Sequence, residues 1–330
     1  MKKYIGTVIT ALICITLAVL GFVFNGFNLS SNQLDTLLIL GIICGSSVLY
    51  CFIVGEISRN NSQMDKLWSL LPIAYAWVVT VKGDFHPRLI VMAVLITLWG
   101  IRLTFNFARK GAYSIKFWTG EEDYRWVVLR NNKMFKGHYV RWALFDLFFI
   151  SLFQNALVLA MTLPMVAVMD SGVSFGVFDY IASSLVFILL LIELIADEQQ
   201  WKFQQTKKKL LKEGKKLDEL ELPYKRGFNT VGLWSYSRHP NYCGEQGFWL
   251  ALFLFTLGAN VNTYFLFNWS MFGALFIVIL FLGSSIFGEG ISNSKYPEYK
   301  YYLCYVSKYI PFRKYNPEKA KAKYEKNHHE

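Results

Sequence analysis

The densest run of chemically capable side chains lies between Gly232 and Glu245 and reads Gly-Leu-Trp-Ser-Tyr-Ser-Arg-His-Pro-Asn-Tyr-Cys-Gly-Glu. It leads directly into an apolar run, from Phe248 to Leu257. Polar groups at the edge of a membrane cost free energy unless a partner holds them. The run therefore predicts a polar pocket at a membrane rim, for a phosphorylated or amide-bearing ligand. The alternative is an interfacial anchor, in which Arg, Trp and Tyr lie at headgroup level.

The order of these residues favours the pocket. Pro240 suits the first turn of a helix, because its missing N–H costs little there. Asn241 and Glu245 are four residues apart and so share a helix face. The free N–H groups of the first turn attract an anion, and Arg238 can grip phosphate with two parallel hydrogen bonds. We expect His239 to donate a hydrogen bond or lie near a phosphate; no metal site is predicted, since no second His or Cys stands at ligand spacing.

Composition places these residues in a membrane protein. The 330 residues are 54% hydrophobic and 17% aromatic, and the mean hydropathy is +0.31. The net charge of +11 is concentrated in a few loops and the tail, which suits cytoplasmic segments facing anionic lipid. No basic module stands apart from the apolar runs, so nucleic acid is not an expected partner. The five scattered cysteines predict neither a disulfide framework nor a zinc site.

Eight apolar stretches predict an all-α, polytopic membrane bundle of about eight transmembrane helices. A span needs about 20 apolar residues, so one stretch is short and one is long. With eight spans, the strongly basic loops and both termini lie in the cytoplasm. The basic connection Lys82–Arg88 is the exception, and it is too brief to set the orientation. The stretches are about Met1–Phe24, Leu34–Gly55, Leu67–Val81 (short), Leu89–Phe107, Val140–Met169 (long), Phe178–Ala196, Tyr242–Leu257 and Tyr264–Phe287.

The motif Arg238–Tyr242, followed by Gly244 and Glu245, resembles the C-terminal signature of the steroid 5α-reductase-like membrane family. Within that family it is most similar to the bacterial branch catalogued as domain of unknown function 1295. The resemblance runs from about Asp65 to Pro311. More distantly, the Arg-His-Pro core resembles sterol reductases and isoprenylcysteine carboxyl methyltransferases.

The resemblance implies an integral membrane oxidoreductase of the cell inner membrane. Its expected cofactor is NADPH, and its expected reaction reduces a carbon–carbon double bond conjugated to a carbonyl. The substrate would be lipid-like, such as a steroid, an isoprenoid or a fatty enone, and would enter from the bilayer. We expect N-terminal membrane helices over residues 1–60, the reductase-like membrane domain over 61–313, and a disordered polar tail over 314–330. No oligomeric state is predicted.

The resemblance also implies the site residues. Asp65 and Glu245 are the expected catalytic acids, although Asp65 could equally cap the third membrane helix. Arg102 lies inside an apolar span and could hold a cofactor phosphate or pair with a buried acid. An acid at the position of Asp197 contacts the cofactor in the resembling reductases, and Gln200 shares its helix face. The expected cofactor-binding residues are Asp197, Gln200, Arg238, His239, Asn241, Tyr242, Glu245, Glu289, Tyr302 and Arg102.

Two other functions stay open. A membrane methyltransferase that uses S-adenosylmethionine would share the Arg-His-Pro core. A non-catalytic lipid-binding or scaffold protein would keep the fold alone. Asp197 and the continuation Gly244-Glu245 favour the reductase over the methyltransferase.

Overall fold

The computed structural model describes residues 5–261, 266 and 268–327. Within these ranges the chain is all-α and has no strand, as predicted. The expected first residue of the first span, Met1, the expected start of the last span at Tyr264 and the final three residues lie outside the described part. The helices are α1 Ile5–Asn25, α2 Ser31–Ser58, α3 Gln63–Leu67, α4 Leu71–Lys82, α5 Pro87–Ala108, α6 Tyr124–Arg130, α7 Tyr139–Phe145, a π-helix Asp146–Phe153, α8 Gln154–Met161, α9 Leu163–Val168, α10 Val177–Lys212, α11 Pro240–Leu252, α12 Phe255–Gly258, α13 Phe272–Lys295, α14 Tyr299–Tyr305 and α15 Pro317–Lys326.

Six helical stretches in the described part are long and apolar enough to cross a membrane, which confirms a polytopic helical membrane protein. The other two predicted spans are shorter. α4 has 12 residues, as the short apolar stretch suggested. The predicted span Tyr242–Leu257 is divided between α11, with 13 residues, and α12, with four. At 1.5 Å per residue α11 is about 20 Å long, less than the ~30 Å hydrocarbon core. The six are Gly6–Asn25, Ser31–Ser58, Pro87–Ala108, Tyr139–Val168, Val177–Lys212 and Trp269–Lys295.

The long predicted span at Val140–Met169 is an irregular helix. Its 30 residues comprise α7, an eight-residue π-helix, α8 and α9. Inside the π-helix, Ser151 Oγ donates to Asp146 Oδ1 at 3.3 Å. From the start of α8, Asn155 Nδ2 donates to the carbonyl oxygen of Ser151 at 2.7 Å. A proline in the first turn of α9 separates it from α8.

Helix α10 continues far beyond its predicted end at Ala196. Its 36 residues span about 54 Å, nearly twice the thickness of a hydrocarbon core. The second half of α10 is therefore a continuous helical support for Asp197 and Gln200.

The chain forms two compact units, and their boundaries fall inside α10, α11 and α13. The first unit comprises Met1–Leu185 and Trp249–Ile277, and the second comprises Val186–Phe248 and Val278–Glu330. The expected division into residues 1–60, 61–313 and 314–330 stays a prediction.

In the first unit, Arg88 forms a buried ion pair. This arginine belongs to the basic connection Lys82–Arg88, which the predicted eight-span topology places outside the cytoplasm. Arg88 Nε lies 2.6 Å from Asp179 Oδ1, and both side chains are 0% exposed. Arg88 also donates to the carbonyl oxygen of Gly258 at 3.1 Å and to Ser171 Oγ at 3.0 Å. Because Asp179 neutralises it, Arg88 does not count against the predicted orientation.

The core of the second unit is aromatic. Phe228, Tyr299, Tyr302 and Val306 form a buried cluster. The ring of Phe228 meets that of Tyr299 edge to face, with centroids 4.9 Å apart. This cluster holds the chain before α11 against the helices that follow α13.

Within the tail that was expected to be disordered, the structure has helix α15. Asn316 caps it by accepting a hydrogen bond from Lys319 N at 3.0 Å. Ala320 is 0% exposed, and Tyr324 meets Tyr301 edge to face at 5.3 Å. Ala320 and Tyr324 are four residues apart, so they form an apolar stripe among the lysines that packs against α14.

Candidate functional site

The second half of α10 supports the segment that leads to the Arg-His-Pro motif. Trp234 Nε1 donates to the carbonyl oxygen of Ala196 at 2.9 Å. Gln199 Oε1 accepts from Leu233 N, also at 2.9 Å. Gly232 is required at this contact: its φ is +61°, and a Cβ there would lie 2.4 Å from Gln199 Oε1.

Farther along α10, Lys207 is buried. It begins the lysine-rich run Lys207–Lys216, which is most simply a solvated helix by its sequence, but Lys207 is only 7% exposed. Its Nζ donates to the carbonyl oxygen of Gly227 at 2.6 Å and lies over the ring of Tyr296 at 5.4 Å. The segment from Gly227 to Trp234 therefore runs antiparallel along α10.

Glycines bring α11 close to α10. A Cβ on Gly244 would lie 2.9 Å from Glu193 Cβ and 3.0 Å from the carbonyl oxygen of Leu189. A Cβ on Gly247 would lie 2.7 Å from Leu189 Cδ2. At Gly244 only glycine permits this separation without a shift of one helix, whereas at Gly247 the Leu189 side chain alone would have to move. The residues at the start of α11 are thereby held against α10.

The arginine of the motif is bound within the protein. Arg238 Nε lies 2.7 Å from Glu289 Oε1, and its Nη1 donates to the carbonyl oxygens of Leu303, at 3.0 Å, and Val306. His239 Nε2 lies 3.0 Å from the same Glu289 oxygen. Glu289, expected to contact a cofactor, is the shared partner of both motif residues. These three side chains fix the entry to α11.

His239 also belongs to a stack of rings. Its imidazole stacks on Tyr242 with centroids 5.1 Å apart and planes 13° apart. Tyr242 in turn meets Phe281 edge to face at 4.4 Å. Burial lowers the pKa of His239, and the hydrogen bond to Glu289 opposes that shift. A neutral imidazole therefore donates from Nε2 to the Glu289 carboxylate.

Tyr302, also expected to contact a cofactor, is 1% exposed. Its hydroxyl donates to the carbonyl oxygens of Trp234 and, at 3.2 Å, Ser237. Burial raises the pKa of this phenol well above its usual value. In the structure, the Tyr302 hydroxyl holds the segment before α11 in place.

Three predicted residues come together where α11 begins beside α10. Asn241 Nδ2 donates to Asp197 Oδ1 at 3.1 Å, and Gln200 lies one turn after Asp197. Asn241 Oδ1 and Gln200 Oε1 are buried, and neither has a hydrogen-bond partner among the described residues. Glu245, one turn after Asn241, is 8% exposed. We refer to Asn241, Asp197 and Gln200 as the amide strip.

Two predicted residues belong to the first unit. Asp65 Oδ2 accepts from Trp126 Nε1 at 2.7 Å, and its Oδ1 lies 3.8 Å from Arg125 Nη2. Burial raises the pKa of the Asp65 carboxyl, and Arg125 opposes that rise. The alternative role of Asp65 is wrong: the third predicted span is α4, whose N-cap is Leu70, and Asp65 lies inside the preceding helix α3. Arg102 is buried within α5.

The sequence did not single out Asn229. Its side chain is 3% exposed, and its Oδ1 accepts from Val231 N at 3.1 Å. Its Nδ2 is buried and finds no acceptor in the part of the chain that the structure describes. The only sequence signal was an asparagine two residues before a valine, which is compatible with an Asx turn.

The fold and this site define a polytopic helical membrane protein with a polar junction at a helix start. Residues 51–308 match the family described as "Protein of unknown function (DUF1295)", and the chain belongs to that family. A relative from Schizosaccharomyces pombe, "Uncharacterized protein C594.04c", is 36% identical over 299 residues, which cover 87% of this chain and 82% of the relative. No solved structure matches the chain. Every predicted site residue lies inside the matched range.

Proposed function

We propose that this protein is a membrane reductase that uses NADPH to reduce a carbon–carbon double bond conjugated to a carbonyl in a lipid-like substrate. The observation that carries the proposal is the pair of buried amide oxygens at Asn241 and Gln200, for which the described residues supply no donor. An unsatisfied buried acceptor costs about 1–3 kcal/mol. A ligand N–H or O–H at these oxygens would recover that free energy. A steroid, an isoprenoid and a fatty enone are the candidate substrates.

The chemistry of the amide strip suits part of a dinucleotide. Two amide oxygens and the Asp197 carboxylate are acceptors, and they match the carboxamide N–H and ribose hydroxyl groups of NADPH. Arg238 suits a phosphate less well, because Glu289 already holds it at 2.7 Å. We therefore assign Arg238 and Glu289 to positioning Asn241 rather than to binding the cofactor.

When bound, NADPH supplies a hydride to the β-carbon of the double bond, and a proton completes the reduction at the α-carbon. The residues of this chain would bind the cofactor and substrate, polarise the substrate carbonyl and supply the proton. Glu245 is buried on the helix face of Asn241, so it can polarise a carbonyl oxygen as an acid. We assign no step of this reaction to Asp65, which belongs to the first unit and accepts a hydrogen bond from Trp126 Nε1.

Ligand-dependent unfolding separates this proposal from its two rivals. The detergent-purified protein is heated with NADPH, with S-adenosylmethionine and without ligand. We expect NADPH alone to raise the unfolding temperature, because a ligand at 100 times its Kd stabilises a protein by about 2.7 kcal/mol. Stabilisation by S-adenosylmethionine alone would replace the reductase with a methyltransferase. Stabilisation by neither would indicate a non-catalytic lipid-binding protein.

A further inference from the structure

A buried side-chain donor lies in the segment that runs along α10. Asn229 Oδ1 accepts from Val231 N at 3.1 Å, and this bond fixes which end of the side-chain amide is oxygen. The Nδ2 group is thereby directed away from its own turn. It is buried without an acceptor among the residues described, in a side chain that is 3% exposed. A buried N–H group in this state is an anomaly that a ligand acceptor would remove.

Gln200 has a buried acceptor that complements the Asn229 donor. Its Oε1 is buried and receives no hydrogen bond within the described ranges. The segment carrying Asn229 contacts α10 on both sides of it, through Gly227 at one end and Leu233 at the other. Because the segment runs antiparallel to α10 between these two contacts, Asn229 lies along the stretch of α10 from Gln199 to Lys207, which includes Gln200. No hydrogen bond joins Asn229 Nδ2 to Gln200 Oε1.

We propose that Asn229 Nδ2 and Gln200 Oε1 together bind a flat ligand edge on which an N–H donor and an acceptor stand side by side. A primary carboxamide has such an edge, and so does adenine, whose amino group and ring nitrogen pair with amide side chains. The inference rests on the proposed function, because NADPH carries both groups. It adds a donor to the strip of acceptors and makes Asn229 a binding residue.

Two variants test the pair from opposite sides. Asn229→Asp keeps the oxygen that accepts from Val231 N and replaces the donor with a second acceptor. Gln200→Leu removes the acceptor. Each should weaken NADPH binding about tenfold, the loss expected for one hydrogen bond to a buried group. Gln205→Leu, on an exposed face of the same helix, and Asn293→Ala, at an exposed position of α13, are the matched controls and should bind as the wild type does.

Two NADPH analogues show whether these two side chains bind the carboxamide or the adenine of the cofactor. In the 3-acetylpyridine analogue a methyl group replaces the carboxamide nitrogen, and in the deamino analogue hypoxanthine replaces adenine. The analogue that lacks the recognised donor should bind wild type about tenfold more weakly and should be insensitive to Gln200→Leu. If both analogues bind wild type as tightly as NADPH does, the inference is overturned.

NADPH binding to wild type and to the two variants distinguishes a wrong assignment of Asn229 and Gln200 from a wrong proposed function. If wild type binds NADPH and both Asn229→Asp and Gln200→Leu bind it equally well, the two amides are structural and the reductase proposal stands. If wild type does not bind NADPH, the proposed function fails first. Unfolding temperatures of the ligand-free variants show whether each is folded, and either variant alone suffices for the test.

Discussion

Asn241 Nδ2 donates to Asp197 Oδ1 across 3.1 Å, so the first turn of α11 is tied to α10 by one amide–carboxylate bond. Gly244, one turn further on, allows the two helices to approach closely enough for this bond. The bond uses the donor end of the Asn241 amide. Its oxygen is left buried without a donor among the described residues. An asparagine after Pro240 therefore serves two purposes: its Nδ2 donates to Asp197, and its Oδ1 stays available to a ligand.

Loss of the Glu289 carboxylate should destabilise the second unit. Arg238 is 10% exposed in its ion pair, and Glu289→Ala leaves that cation buried without its counter-ion. We expect the free energy of unfolding to fall by about 3 kcal/mol. The double variant Arg238→Met/Glu289→Ala should lose less than the sum of the two single variants, because neither charge is then left alone. Additive losses in denaturant titrations would show that the pair contributes no coupling.

Acid should weaken the protein through His239. Burial lowers its folded-state pKa, while the unfolded value is about 6.5. Below about pH 6.5 the unfolded chain binds a proton that the folded chain does not, so stability falls as pH decreases toward the folded pKa. His239→Gln keeps an N–H donor for Glu289 but does not titrate. Between about pH 7.5 and pH 5.5 the unfolding temperature of wild type should fall further than that of His239→Gln. Parallel curves would exclude His239 as the cause.

A methyl group on Gly244 should force α11 away from α10. The added Cβ would lie 2.9 Å from Glu193 Cβ, so we expect Gly244→Ala to cost about 1–3 kcal/mol of stability and to weaken NADPH binding by displacing Asn241. The control is Gly290→Ala in α13, where a Cβ has no neighbour within 4 Å. That substitution should be neutral or stabilising by up to about 1 kcal/mol. Equal unfolding temperatures for the two variants would contradict close helix packing at Gly244.

Tyr302 should act on stability more than on binding. Tyr302→Phe removes the hydrogen bonds to the carbonyl oxygens of Trp234 and Ser237, and we expect a loss of about 1–2 kcal/mol in the free energy of unfolding. NADPH affinity should change less than threefold, well under the tenfold expected for a residue that bonds a ligand. Tyr236→Phe, at a residue 41% exposed, is the matched control. A tenfold loss of affinity with unchanged stability would restore Tyr302 as a cofactor contact.

Apolar length predicted the membrane helices well where one helix is regular. The stretch Leu89–Phe107 became Pro87–Ala108, because hydropathy and span length decide such a segment. The stretch Tyr242–Leu257 is also largely apolar, yet it divides into α11 and α12. Hydropathy does not register where a helix ends inside an apolar run. Tail helix α15 was missed because its charge outweighed the signals of an N-cap asparagine and a two-residue apolar stripe.

Within the site, local spacing found residues that share a helix face and missed distant partners. Asp197 and Gln200 follow from helical periodicity. The partner of Arg238 does not, because Glu289 is 51 residues away, so an arginine that could bind phosphate was indistinguishable from one held by an acid. The sequence does not indicate Asn229, because its burial depends on a loop that runs along α10. A loop residue is not part of a helical periodicity.

The decisive experiment for the amide strip is a titration of NADPH into purified wild type, Asn241→Ala and Asn293→Ala. Asn293 lies exposed on α13, so its substitution controls for a general effect of losing an amide. We expect saturable binding to wild type and Asn293→Ala, and at least about tenfold weaker binding to Asn241→Ala, whose cooperative ligand-free unfolding transition shows that it is folded. The same affinity in all three proteins, or binding to none of them, would contradict this expectation.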